Sequence, residues 1–462
     1  MKKKEHKEVI QKAPITAIAT PVGEGGISVI RVSGKHSISI IDGAFRGKSL
    51  IDQPSHTVHF GTITDAKGAP VDEVLITLFH SPRSYTGEET VEISCHGGVL
   101  VTQTVLETIL ALGIKPAEPG EFTQRAFLNG KLDLDQAEAV ADLIHAKSRK
   151  AVDAAHQQLE GKLGNHIREF RQQLIDATAM IELELDFIEE DVEFANKPEL
   201  TRLLTELDTE LQALLNTYET GRLVKDGVKT VLIGRPNAGK STLLNALLGT
   251  DRAIVTDIAG TTRDTIDADW SFDGLLFKLT DTAGLRDTDD RVEAEGVRRS
   301  KQALDNADIV VYLKELTAPF SDTERQEVAT LQKQAGETPF LLVGTKGDIE
   351  PNTEWRVHFD VKISAKTDER LDLLKKLLKD RALENKHYDA SSVLVTSSRH
   401  RDALQKTKDH VLAAISGLEQ DLTGDFLSID LRAAYKELGT ITGEITNEDI
   451  LDSIFSRFCI GK

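Results

Sequence analysis

Gly234-Arg235-Pro236-Asn237-Ala238-Gly239-Lys240-Ser241 follows the apolar run Val228 to Ile233 and leads into Thr242 to Leu248, where the pattern predicts a helix. A strand, a glycine-flanked loop and a helix in this order form a phosphate-binding loop. Its two glycines let backbone N–H groups curl around phosphates, the lysine reaches the outer phosphates, and the serine hydroxyl can hold Mg²⁺. The stretch therefore places a mostly parallel α/β nucleotide-binding domain in the middle of the chain.

The elements such a domain needs follow in order. Asp281-Thr282-Ala283-Gly284 comes after the apolar run Leu275 to Leu279, where an aspartate can hold Mg²⁺ through water and a glycine N–H can sense the terminal phosphate. Thr345-Lys346-Gly347-Asp348 ends the run Phe340 to Val343 and selects the base, because the Asp348 carboxylate can accept both hydrogen bonds offered by the guanine edge. The first residue of this element is usually Asn; Thr345 keeps a hydroxyl but loses the amide, which predicts somewhat weaker nucleotide binding with the same base preference. Ser364-Ala365-Lys366 supplies the last base-side loop, and Thr261-Thr262, inside Gly260-Thr261-Thr262-Arg263-Asp264, supplies a Mg²⁺ ligand that can order on GTP binding. Together these elements imply a GTPase.

Two catalytic needs have no obvious provider. Leu285 stands where many such enzymes carry the glutamine that orients the attacking water. Glu293 is the best-placed carboxylate nearby, with Asp287, Asp289 and Asp290 as competitors and a solvated acidic loop as the bland alternative. Positive charge is also needed where negative charge develops in phosphoryl transfer, usually from an arginine. Asn237 could help bind a monovalent cation in that place instead.

Length and composition frame the rest. A chain of 462 residues allows about three domains. Only two cysteines, Cys95 and Cys459, without partners at metal-ligand spacing, argue against a disulfide scaffold or zinc site and for a reducing compartment, the cytoplasm. The basic start Met1 to Lys7 leads into no apolar signal core, and no run is long enough to span a bilayer. A net charge of −19 opposes broad electrostatic binding to nucleic acid, so an RNA substrate would meet a local patch or a partner protein.

Short β-rich runs such as Ile27 to Val32 and Glu73 to Phe79, broken by Gly and Pro, read as an N-terminal α+β domain. From Leu132 to about Tyr218 the period turns helical. Phe170, Leu174, Ala177, Ile181, Leu185 and Ile188 make one stripe, and Leu200, Leu203, Leu207, Leu211 and Leu214 another. Glu182, Glu184, Asp186, Glu189 and Glu190 fall off the first stripe and read as a solvated face in preference to a metal site. Val411 to Phe458 is helical again. The division expected is 1–130, 131–226, 227–389 and 390–462: an N-terminal domain, a helical domain in two chain segments, and a Ras-like GTPase domain inserted between them.

Beyond the GTPase elements, the chain carries Gly23-Glu24-Gly25-Gly26, Ile30-Arg31-Val32-Ser33-Gly34, Ser84-Tyr85-Thr86-Gly87-Glu88, Cys95-His96-Gly97-Gly98, Pro119-Gly120-Glu121-Phe122-Thr123, Arg125 to Leu134 and a final Cys459-Ile460-Gly461-Lys462. In this combination it resembles the MnmE (TrmE) family of tRNA-modification GTPases along essentially its full length. The resemblance implies an N-terminal domain that dimerises and binds a tetrahydrofolate, 5-formyl or methylene, with Arg31, Glu92 and Lys131 as matching positions and Lys462 nearby. Without the family, these would more often be ordinary surface or strand residues.

The resemblance also implies the remaining ligands. Potassium would be bound by Asn237 and Thr256 with backbone oxygens near Ile258 and Thr261, and Mg²⁺ by Ser241 and Thr262. GTP would meet Asn237, Ala238, Gly239, Lys240, Ser241 and Thr242, then Thr256, Asp257, Ile258, Ala259, Gly260, Thr261 and Thr262, Asp281 to Gly284, Thr345, Lys346, Asp348 and Ser364 to Lys366. Glu293 matches the family's water-positioning glutamate, and potassium takes the place of an arginine finger as two GTPase domains of a homodimer meet.

Cys459, by composition more often a small buried hydrophobe, belongs to a family tail needed for modification and not for GTP hydrolysis. The function implied is GTP hydrolysis coupled, with the flavoprotein MnmG, to placing an aminomethyl-type group on the wobble uridine, position 34, of certain tRNAs. A regulatory GTPase with a docking module at its N-terminus is the competing class, which would have no reason to keep Arg31, Lys131 and the terminal cysteine together.

Overall fold

The computed structural model describes residues 13–186, 197–250, 266–281, 304–349, 358–384 and 393–462. The chain divides into two compact units, one drawn from Met1–Ala141, Gln158–Asp176 and Tyr435–Lys462, the other from Asp142–Gln157 and Ala177–Ala434.

The first unit is built on a seven-stranded mixed sheet of β1 (Ile15–Ile18), β2 (Ile27–Ser33), β3 (Phe45–Gly47), β4 (Thr57–Thr64), β5 (Pro70–Phe79), β6 (Thr90–His96) and β7 (Lys115–Pro116), in the order β3-β4-β5-β6-β2-β1-β7. All neighbours are antiparallel except β1 and β7. The alternation read in Ile27 to Val32 works as the period-2 rule requires. Ile30 and Val32 point into a core shared with Ile76, Leu78, Val91, Ile93, Cys95 and the helical residues Val105 and Ile109, so Cys95 is a packing residue. Arg31 therefore faces the other side, where the register sets it directly opposite Glu92 on β6 and Ala17 on β1.

On that side Ile15, Ala17, Ala117 and Phe122 form a small separate cluster against which Tyr85 packs. Phe122 lies on helix α3 (Glu121–Leu128), which follows α1 (Ser37–Asp42) and α2 (Val99–Ala111). The C-terminal helix of the chain, Glu448–Phe455, brings Leu451, Ile454, Phe455 and Phe458 against Leu134 and Ala137.

The second unit holds a six-stranded sheet of β8 (Val228–Ile233), β9 (Ile266–Phe272), β10 (Leu275–Asp281), β11 (Ile309–Glu315), β12 (Phe340–Thr345) and β13 (Val361–Lys362), ordered β13-β12-β11-β8-β10-β9. Only β9 runs antiparallel to its neighbour. Strands β8, β11 and β12 are apolar on both faces, as parallel strands covered on both sides demand. Leu232, Phe277, Leu279, Val311 and Val343 feed one core, while Val231, Ile233, Val310, Tyr312 and Leu342 feed the other.

Between the sheets in sequence run α4 (Leu134–His145), α5 (Arg149–Leu159), α6 (Lys162–Asp186), α7 (Lys197–Asn216) and α8 (Tyr218–Asp226). After β8 come α9 (Lys240–Thr250), α10 (Asp322–Ala335), α11 (Leu371–Ala382), α12 (Ser398–Glu419), α13 (Gly424–Thr442) and α14 (Glu448–Phe455). Among the described residues, the helical segment that follows the region 227–389 begins at Ser398, earlier than the periodicity from Val411 suggested, because the polar opening turn of α12 hides its start.

In α6, Phe170, Leu174, Ala177 and Ile181 are buried as read; Ile188 lies outside the described residues and the Leu185 side chain is likewise not described. In α7 the buried stripe is Leu200, Leu204, Leu207, Leu211 and Leu214. Leu204 replaces the expected Leu203; either spacing suits a 3.6-residue turn, so the period alone does not choose between them. Helix α7 packs on α12, with Lys408 paired to Asp208, the Val395 N–H donating to Thr217 Oγ1 at 3.0 Å, and the Gly221 backbone under the Val395 carbonyl. From the acidic face of α6, Glu182 accepts from Arg432 at 2.7 Å, an exposed ion pair.

Candidate functional site

The parallel strands β8, β10, β11 and β12 place their C-terminal ends on one edge of the sheet, with β8 between β10 and β11, where the strand order reverses. Crevices at such a reversal are where open α/β sheets bind ligands. The loop after β8 leaves along Gly234, whose φ is +158° and whose hypothetical Cβ would stand 2.5 Å from the Leu313 carbonyl oxygen. Only glycine fits against β11 there. Asn237 and Gly239 adopt left-handed φ values of 64° and 92°, which turn the chain back on itself before α9 begins at Lys240. Lys240 is buried, and its Nζ donates to the carbonyls of Gly234 at 2.7 Å and Arg235 at 3.0 Å, bracing the loop from inside. Ser241 and Thr242 lie exposed on the first turn of α9, where N–H groups and the helix dipole favour anions. This donor set fits a nucleoside phosphate and its Mg²⁺.

Thr345 ends β12, is buried, and donates from Oγ1 to the Ala238 carbonyl at 2.7 Å. The lost amide noted in the sequence is thus replaced by a short hydroxyl tether between the base-side and phosphate-side loops. Thr345→Val, isosteric but without the donor, is expected to weaken GTP binding several-fold, on the order of 1 kcal/mol, while Thr345→Ser stays near wild type; equal affinity for all three in a nucleotide titration would remove the tether's role.

On the base side, the Ser364 hydroxyl, fully buried, donates to Asp348 Oδ1 at 2.7 Å, and the Thr367 N–H donates to Ser364 Oγ at 3.3 Å. The Ser364 bond, then the Asp348 backbone, hold the exposed Asp348 carboxyl below the usual carboxylate range, with Lys366 adding a smaller pull. Asp348 is thus held ionised and oriented, as an acceptor for a guanine edge must be. Lys346, in a left-handed conformation, pairs with Glu315 at the end of β11.

Ala238 and Gly239 form the loop's inner wall, Ala365 packs against the sheet core, and Asp281 ends β10 opposite Leu232, its side chain not described. Thr256 to Thr262, Thr282, Ala283, Gly284 and Glu293 lie outside the described residues, so of the expected potassium ligands only Asn237 is placed, and of the Mg²⁺ ligands only Ser241.

A second constellation lies in the first unit. Arg31 Nε and Nη2 both donate to Glu92 Oε1, at 2.9 and 2.8 Å. The guanidinium carbon sits 5.4 Å from the Tyr85 ring centre and 5.6 Å from that of Phe122. Nη1 is buried and has no hydrogen-bond partner among the described residues. The chain's last residues reach the same place: Gly461 has φ +103° and a Cβ there would stand 2.3 Å from the Ile18 carbonyl oxygen, so the tail lies flush against the end of β1.

Burial first, and then the Arg31 charge, push the Lys462 ammonium below its ordinary range, with Glu92 opposing. Cys459 is exposed, and its carbonyl accepts from the Lys462 N–H at 3.4 Å. Lys131, also exposed, donates from Nζ to the Pro82 carbonyl at 3.2 Å. The structure thus gathers Arg31, Glu92 and Lys462, while Lys131 is tied to the loop that carries Tyr85. Tyr85 and Phe122 stand within quoted motifs but no spacing rule marks them as site residues; only the fold sets their rings beside Arg31.

Residues 134–459 match the family described as the MnmE helical domain, and residues 14–131 match the N-terminus of the GTP-binding protein TrmE. The tRNA modification GTPase MnmE of Salinibacter ruber is 48% identical over 98% of this chain and 100% of that protein. This chain belongs to the MnmE family. The MnmE proteins of Cytophaga hutchinsonii and Chlorobaculum tepidum are 43% and 42% identical, each over 97% of both chains. Like other members of the MnmE family it is a GTP hydrolase, and the phosphate loop lies within the 134–459 match. No described helix is long and apolar enough to cross a membrane.

Proposed function

We infer that this protein hydrolyses GTP to drive the modification of the wobble uridine, position 34, of certain tRNAs, working in the cytoplasm with the flavoprotein MnmG. The observation that carries the reading is the convergence of the phosphate loop, the end of β10 and the Thr345 to Asp348 loop on one sheet edge, in a chain related end to end to tRNA modification GTPases. The product is an aminomethyl or carboxymethylaminomethyl group, with the carbon from a tetrahydrofolate.

The Arg31 constellation supports the folate site. A buried guanidinium nitrogen without a partner calls for an oxygen acceptor, because such a group left unpaired costs about 1–3 kcal/mol. Glu92, partly exposed, can accept from the amino and ring N–H groups of a pterin. Tetrahydrofolate would supply a one-carbon unit there, 5-formyl or methylene; Arg31 and Glu92 bind and orient, and Lys131 and Lys462 add positive charge. Cys459, exposed on the same tail as Lys462, is the proposed reactive side chain.

The proposed division is 1–130 for folate binding and dimerisation, 131–226 with 390–462 for the helical domain, and 227–389 for an inserted Ras-like GTPase domain. The packing of α7 on α12 supports it, since it joins the segments that precede and follow the second sheet.

In the GTPase domain Ser241 and Thr262 would hold Mg²⁺, and Asn237 and Thr256 with the backbone of Ile258 and Thr261 would hold potassium, whose charge replaces an arginine finger as two copies of the chain meet. Glu293 would orient the water. GTP turnover in KCl is expected to exceed that in NaCl at matched ionic strength by at least roughly tenfold, and Glu293→Ala to remove that gain. Equal rates in the two salts would return Asn237 to a plain loop residue and require an external activator.

A further inference from the structure

Arg31 makes its two hydrogen bonds to a single Glu92 oxygen through Nε and Nη2, which leaves Nη1 as the guanidinium nitrogen without a partner among the described residues. What fixes that end is aromatic. Two rings have their centres 5.4 and 5.6 Å from the guanidinium carbon, and each is itself anchored. The Tyr85 hydroxyl shares a 2.8 Å hydrogen bond with Thr123 Oγ1. Phe122 is fully buried at the start of α3, among Ile15, Ala17 and Ala117.

Beneath them the motif residues tie together. Glu88 and Glu121 both bind Arg125, and Glu88 also accepts from the Ser33 hydroxyl at 2.9 Å, which locks the Tyr85 loop to α3 and to β2. The rings are therefore held in place by this network as well as by their own packing. A planar, weakly hydrated guanidinium is the cation that such a stack holds.

We propose that Tyr85 and Phe122 are positioning residues that form an aromatic slot for Arg31, presenting its Nη1 to a carbonyl or carboxylate oxygen of the bound ligand. The slot deepens the folate reading in naming what meets that ligand, but its geometry is independent of it. A lysine at position 31, with a compact ammonium in place of a planar fork, cannot substitute.

The test uses the full chain titrated calorimetrically with 5-formyltetrahydrofolate. Tyr85→Phe, which keeps the ring, is expected to bind within about twofold of wild type, and Tyr85→Leu roughly tenfold more weakly. Arg31→Ala is expected to lose on the order of 100-fold. Low-millimolar guanidinium should then restore part of the binding to Arg31→Ala, and should fail to do so in Arg31→Ala combined with Tyr85→Leu. A merely structural ring would not produce that difference.

Thermal melting of the ligand-free protein gives a second readout, because guanidinium raises the melting temperature of Arg31→Ala only if it enters a formed slot. Wild-type binding by Tyr85→Leu, or equal rescue in the double variant, overturns the proposal. If the wild type does not bind the folate, the folate reading falls and the melting shift decides the slot: protection of Arg31→Ala supports it and its absence overturns it.

Discussion

Asp348→Asn is expected to lower GTP affinity by on the order of 100-fold or more and to turn the preference towards xanthosine triphosphate. Guanine offers two donors side by side, its ring N–H and its amino group, and an ionised carboxylate accepts both. An asparagine there has one acceptor and one donor, so its amide NH₂ faces the guanine amino group and neither finds a partner. Xanthine carries an oxygen where guanine carries the amino group, which the amide NH₂ can meet.

The surroundings make the exchange clean. Ser364 donates to Oδ1 from a fully buried position and is itself held by the Thr367 N–H, so the new side chain enters an existing frame. Competition of GTP, XTP and ATP for the variant reads the result. Undiminished GTP affinity would mean that the base does not lie against Asp348.

Arg125→Ala is expected to destabilise the first unit by about 3–5 kcal/mol, because it strands two carboxylates in a buried setting. Arg125 is 3% exposed; its Nη2 and Nε donate to Glu121 Oε1 at 2.8 and 3.2 Å, and its Nη1 to Glu88 Oε2 at 3.2 Å and to the Ala13 carbonyl at 3.1 Å. Removing the guanidinium leaves both acids with most of their desolvation cost and, among the described residues, only single neutral donors, the Ser33 hydroxyl for Glu88 and the Glu118 N–H for Glu121, to offset it. Replacing all three groups together, Arg125→Met with Glu88→Gln and Glu121→Gln, should recover much of the loss, since no unpaired charge then remains. A calorimetric melt of the three proteins checks this. A single variant melting with the wild type would show that the network carries no stability.

Much of the nucleotide site was legible because its chemistry is local. The phosphate loop, the Asp281 strand end and the base-selecting aspartate each need a fixed residue type at a fixed offset from a strand end, and the strands themselves announce their ends by apolar runs. Strand β8 runs from Val228 to Ile233, as its pattern predicts. The Thr345 tether was not legible in the same way. A hydroxyl reaching Ala238, 107 residues earlier in the chain, follows from β11 lying between β8 and β12, and no local spacing encodes that.

The leucine stripe of α7 shows the same limit at smaller scale. Leu203 and Leu204 both fit a helical pattern, and only the packing on α12 decides which is buried.

Residue order alone was enough to mark a GTPase of the MnmE family with an N-terminal α+β region and helical segments around a mostly parallel sheet. Each of those statements rests on periodicity or on motifs that are short in sequence. The family resemblance grouped Arg31, Glu92 and Lys462, but their geometry and the rings of Tyr85 and Phe122 beside Arg31 came from the fold. Antiparallel pairing sets Glu92 opposite it from 61 residues away, the docking of α3 brings Phe122, and the turn at Gly461 brings in Lys462 from the far end of the chain. Sites assembled from several strands and a remote tail depend on register and packing, which act between distant residues and leave no period in the sequence.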